Sequence, residues 1–110
     1  NVYIRLSESH PDHWELFFDQ SDLYVRMDDF SLAASSLMES LKIEPNSAEI
    51  LYRLAAIQWR RGLKEDAATA LNQALLIDYA GHKDMLDYLP DLEQDPFIID
   101  IIETHKSHGN

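Results

Sequence analysis

The chain has 110 residues, of which 45% are hydrophobic and 26% charged, the balance of one globular domain over residues 1–110 with no apolar run long enough to span a bilayer. Twenty acidic side chains against nine basic ones give a formal net charge of -11, which opposes nucleic acid and anionic membrane as partners, because affinity for phosphates comes from Lys and Arg releasing counterions. There is no cysteine, so disulfides and thiolate metal sites are excluded.

Residues 1–11 start at Asn1 with no initiator Met and no signal-peptide pattern, and the expectation is a piece of a longer protein that begins inside a structural unit. From Trp14 the apolar positions Phe17, Phe18, Leu23, Tyr24, Val25 and Met27 recur three and four apart, which is helical and not strand periodicity. The spacing predicts a helix over 12–27, a turn at Asp28-Asp29 and a second helix over 30–43. The same pattern returns as helices over 47–61 and 64–77, with Gly62 just past Arg60-Arg61 as a helix C-terminus prefers. Asp12 with Glu15, and Asn46 with Glu49, give both first helices the signature of a capping box. A short helix over 81–89 opens a further unit, which Pro90 stops. Asp95-Pro96 then reads as an N-cap and first-position pair, and Phe97, Ile98, Ile101 and Ile102 form one apolar stripe expected to bury against the hairpin of residues 47–77 as a lid. The pattern predicts seven helical segments, counting a truncated first one, and no sheet. Breaks are expected near Pro11, Asp28, Pro45, Gly62, Tyr79 and Pro90.

Two of these hairpins are copies of one another. Residues 14–47 placed above 48–81 without a gap pair Glu15 with Glu49, Arg26 with Arg60, Ala33 with Ala67, Ala34 with Ala68, Leu37 with Leu71, Leu41 with Leu75 and Ile43 with Ile77, and Pro11 and Pro45 keep the same 34-residue step. In Ala33 and Ala67, Leu37 and Leu71, Ser40 and Ala74, Tyr24 and Ala55 the chain resembles the tetratricopeptide repeat family. The resemblance implies that Ala33 and Ala67 stand where the two helices of a hairpin touch, Leu37 and Leu71 at the large packing position and Ser40 and Ala74 one turn later, with Tyr24 at the aromatic position of the first helix and Ala55 at the small position where helices cross. The resemblance covers about residues 1–94. It implies an all-α, right-handed superhelix of helical hairpins with a C-terminal capping helix, the C-terminal fragment of an array. On that reading 1–11 ends a truncated repeat, 14–47 and 48–81 are repeats, 82–94 is a partial repeat and 95–107 the capping helix. Gln20 and Ser21 depart from the usual leucine and glycine, Asp28 from the turn glycine and Tyr79 from the terminal proline.

The resemblance also implies a concave groove lined by the first helices, a protein-protein interaction module and no enzyme. It maps the groove onto Glu15, Phe18, Asp22, Val25 and Arg26, then Glu49, Tyr52, Ala56, Trp59 and Arg60, then Lys83 and Leu86. Phe18, Tyr52 and Leu86 fall 34 apart and predict an apolar stripe; Val25 with Trp59 gives a second, and Arg26 with Arg60 a basic pair. Such rings serve as peptide anchors, or they pack between neighbouring first helices or under the final helix. The candidate partner-binding residues are therefore Phe18, Asp22, Val25, Arg26, Tyr52, Ala56, Trp59, Arg60 and Leu86. The partner is expected to be another protein or a peptide, apolar and neutral or basic, because the negative surface steers cations toward it. A monomer or weak self-associator is expected, and the alternative role is a structural spacer or self-association element of a larger repeat protein.

The family's carboxylate clamp is absent: Phe18, Asp22, Arg53, Lys83 and Asp87 occupy its places, and two acids repel a carboxylate. His105 and His108 share a helix face without a reinforcing acidic ligand, so no metal is expected. Asp28-Asp29 lies in a turn, and Glu65-Asp66 opens a helix where acids offset the macrodipole. No phosphate-binding glycine loop or activated nucleophile is present, and no cofactor is expected.

Overall fold

The computed structural model describes residues 14–108 and is all-α. Its helices are α1 (Trp14–Arg26), α2 (Phe30–Ile43), α3 (Ala48–Arg60), α4 (Lys64–Ile77), α5 (His82–Tyr88) and α6 (Pro96–His108). Short 3-10 turns at Tyr79–Gly81 and Pro90–Gln94 join the last three, and no strand occurs among the described residues. The truncated first segment, the break at Pro11 and the Asp12 cap lie outside the described residues. Contacts divide the chain into two compact units, Asn1–Asn46 and Ser47–Asn110.

In the first unit α1 and α2 pack as a hairpin, and the small and branched residues of α2, Ala33, Ala34, Leu37 and Ser40, are buried. On α1 the buried residues are Phe18 and Ser21. Ser21 stands where the family prefers glycine. Its hydroxyl donates to the Phe18 carbonyl at 2.6 Å, so the polar group is satisfied within its own helix and burial costs little. The turn to α2 places Asp28 in the left-handed region, at φ 60.

In the second unit α3 and α4 form the equivalent hairpin. Ile50, Leu51, Leu54, Ala55 and Ile57 of α3, and Ala67, Leu71, Ala74 and Leu75 of α4, are among its buried side chains. The N-cap of α3 is Ser47, whose hydroxyl accepts from the Ile50 N–H at 3.3 Å, one residue after the Asn46 the sequence suggests. The cap needs an acceptor three residues before its donor N–H, and that place falls to Ser47.

Helix α6 packs on α4 through Ile98 and Ile102, both buried, and His105 Nε2 lies 2.6 Å from Asn72 Oδ1. Burying each isoleucine contributes about 1.5–3 kcal/mol, which a helix of this length needs, being marginal in water by itself. The buried face follows positions 98, 102 and 105. Ile101 is therefore only half-buried, and Phe97 is 39% exposed, contrary to the four-residue stripe expected from the sequence. The step of about 100° from Ile98 turns Phe97 outward, where its ring sits 5.9 Å from the Lys64 ammonium.

Candidate functional site

The sequence-derived residues fall in both units. Phe18, Asp22, Val25 and Arg26 belong to α1, where Phe18 is buried, Asp22 and Val25 are half-buried and Arg26 is exposed. Tyr52, Ala56, Trp59 and Arg60 belong to α3, and Leu86 is half-buried on α5.

Tyr52 is only 4% exposed. Its hydroxyl donates to the Asp78 carbonyl at 2.5 Å, with the Tyr79 carbonyl at 3.2 Å as a second acceptor. One phenol thus fixes the 3-10 turn that leads into α5. Gly81 closes that turn against the ring: a Cβ at this position would lie 2.7 Å from Tyr52 Cε2, so only glycine lets α5 begin so close to α3. Burial, reinforced by the negative charge of Asp78, pushes the Tyr52 phenol well above its usual pKa. Ala56, one turn further along α3, is fully buried and acts from within the fold as a spacer.

Trp59 is half-buried, and its indole N–H donates to Asp95 Oδ2. The other oxygen of that carboxylate accepts from the Phe97 N–H at 2.9 Å, so Asp95 caps α6 while holding α3. The Trp59 hydrogen bond is the main cause that keeps the Asp95 carboxyl below its usual range; burial opposes it, and the Phe97 and Ile98 N–H groups and the charge of Lys64 assist. Arg60 pairs with Asp91 at 3.5 Å across largely exposed side chains, a contact that contributes at most about 1 kcal/mol. The segment that carries Asp91 and Asp95 therefore engages both candidate residues at the C-terminal end of α3.

A cleft of about 370 Å³ remains open between α3 and α5. Ala48, Glu49, Tyr52 and Arg53 line it from α3, Asp78 and Gly81 from the turn, and Asp84, Met85 and Tyr88 from α5. The Arg53 guanidinium lies over the Tyr88 ring, 4.1 Å from its centroid. Of the residues mapped onto the groove from the sequence, Glu49 and Tyr52 are on its walls, and Leu86 is not among them. The missed residues had one readable signal. Gly81 falls 34 residues after Ser47, a glycine at the place where a helix would take its cap. Among the described residues no group of three or more His, Asp or Glu converges to hold a metal ion, and no helix is long and apolar enough to cross a membrane.

The model of the tetratricopeptide repeat matches residues 15–47 and 48–80. The chain is also similar to the cellulose synthase operon protein C of Pseudomonas fluorescens (strain SBW25), with 32% identity over 79 residues. That match covers 72% of this chain and 6% of the relative, so the chain corresponds to a small part of that protein. No solved structure matches.

Proposed function

The chain belongs to the tetratricopeptide repeat family, and from that premise we propose that it holds a segment of a partner protein against the faces of its first helices. Repeats of this family are non-enzymatic and serve as protein-interaction modules. The candidate contacts are Phe18, Asp22, Val25 and Arg26 on α1, Tyr52, Trp59 and Arg60 on α3 with Ala56 as the spacer beneath them, and Leu86 on α5. What supports the reading is the cleft beside α3: a preformed concavity, walled by aromatic rings and rimmed by charge, of the size range in which binding sites begin, about 300 Å³ and upward. The net charge of -11 favours a partner segment that is neutral or basic, by steering and by rejecting acidic competitors. The Pseudomonas relative is named for a cellulose synthase operon. A match over 6% of its length carries no substrate to this chain.

Selection of displayed peptides on the immobilised chain tests this reading, with the enriched sequences mapped by amide chemical shifts. Ligands that perturb α1, α3 or α5 are expected. A library that yields nothing above background, or ligands that perturb only α2 and α4, would overturn it.

A further inference from the structure

Resting on that interaction reading, we propose that the cleft between α3 and α5 is a pocket for one basic side chain, arginine or lysine, carried by an extended segment of the partner protein. At about 370 Å³ it has room for a long side chain and its adjoining backbone, and none for a helix. Its lining is divided. Tyr52, Met85 and Tyr88 supply apolar surface, and the carboxylates of Glu49, Asp78 and Asp84 supply charge. A side chain with an aliphatic stem and a cationic head meets both halves. An aliphatic residue would bury charge without compensation, and an acidic one would be repelled.

Three acidic residues and one basic residue, Arg53, line the pocket, and among the described residues Glu49, Asp78 and Asp84 enter no ion pair. The pocket is left with negative charge and with acceptors for a charge-assisted bond. Its wall already takes a cation: the Arg53 guanidinium stacks on Tyr88 at 4.1 Å, the geometry in which arginine binds an aromatic face. The opposite wall is rigid, because the Tyr52 hydroxyl is bonded to the Asp78 carbonyl at 2.5 Å and Gly81 is pressed against the ring. A ligand meets a pocket formed in advance, so little ordering opposes binding.

The test uses the whole 110-residue chain and short peptides in which one arginine, one lysine or one citrulline is flanked by alanines. Citrulline keeps the shape of arginine and removes its charge. Amide shifts should cluster at Tyr52, Gly81 and Met85, and the arginine peptide should bind roughly tenfold more tightly than the citrulline one. Glu49→Gln and Asp84→Asn change exposed side chains, so the melting temperature should hold while arginine binding falls by a similar factor. Equal binding of arginine and citrulline peptides overturns the pocket, as does the absence of arginine-peptide binding at millimolar concentration or affinity unchanged in both variants. Displayed peptides that bind elsewhere on the first helices without a basic residue would sink the pocket and leave the interaction reading standing.

Discussion

The hairpins α1–α2 and α3–α4 close their turns with the same bonds and different residues. Asp28 N–H donates to the Val25 carbonyl at 3.0 Å and Asp29 N–H to the Tyr24 carbonyl at 2.8 Å; 34 residues on, Gly62 N–H donates to Trp59 and Leu63 N–H to Gln58, both at 2.9 Å. Both are Schellman motifs, and both need a left-handed residue, met by Asp28 at φ 60 and Gly62 at φ 82. A side chain there costs about 1–2 kcal/mol, less for aspartate, which is among the residues that tolerate this region best. The order reverses one residue later. Asp29 caps α2 by accepting the Leu32 N–H at 3.1 Å, and Leu63 gives α4 no side-chain cap. Each hairpin carries one favourable and one unfavourable turn residue, and the backbone is the same in both. The repeat is thus a pattern of hydrogen bonds and packing that several residue choices satisfy.

The equivalence is tested most strongly in the core. Leu37 and Leu71 occupy matching positions and are both 0% exposed. Leu37→Ala and Leu71→Ala should each cost about 2–5 kcal/mol in urea unfolding. A loss below about 1 kcal/mol at either position would show that the shared register does not mark a shared core.

The turns offer a smaller, two-sided test. Gly62→Ala should cost about 1 kcal/mol, through the backbone alone, since a Cβ there meets nothing within 4 Å. Asp28→Gly should stabilise by less than that. At the caps, Asp29→Ala should cost about 1 kcal/mol, and Leu63→Asp should recover part of that amount in the other hairpin. If Asp28→Gly destabilises, the aspartate contributes something beyond its φ angle, and the turns are not interchangeable.

Most of the helical pattern is legible in the sequence, because local causes set it: apolar spacing, Gly62 after Arg61, and Pro96 behind Asp95. Elements whose causes are distant are not. The 3-10 turn at Tyr79–Gly81 takes its shape from the hydroxyl of Tyr52, 26 and 27 residues away from its two acceptors. The engagement of Trp59 by Asp95 spans 36 residues and passes through the Pro90–Gln94 turn. Periodicity places Tyr52 and Trp59 on the first-helix face, and does not tell which of them the chain's own downstream segment holds. The outward position of Phe97 has the same origin, since residues 97, 98, 101 and 102 span more of the helix circumference than α4 covers.

The smallest effect expected separates the two hairpins by pH. The counterpart of Trp59 in the first hairpin is Val25, which has no side-chain N–H, so the fastening to a carboxylate belongs to the second unit. Asp95 is held below its usual pKa chiefly by the Trp59 N–H. A carboxyl depressed in the folded state contributes stability above its unfolded value, near 4, and loses it as the pH falls through the lower folded value. Asp95→Asn should therefore be less stable than the parent chain at pH 7, with the difference shrinking below about pH 4. Trp59 fluorescence in a Trp14→Phe background reports the contact locally, since these are the chain's two tryptophans. The emission should shift on acidification in the parent and much less in Asp95→Asn. Should the stability difference persist undiminished at pH 2.5, the charge of Asp95 would have no part in holding Trp59, and the contact would be a neutral hydrogen bond to a capping residue.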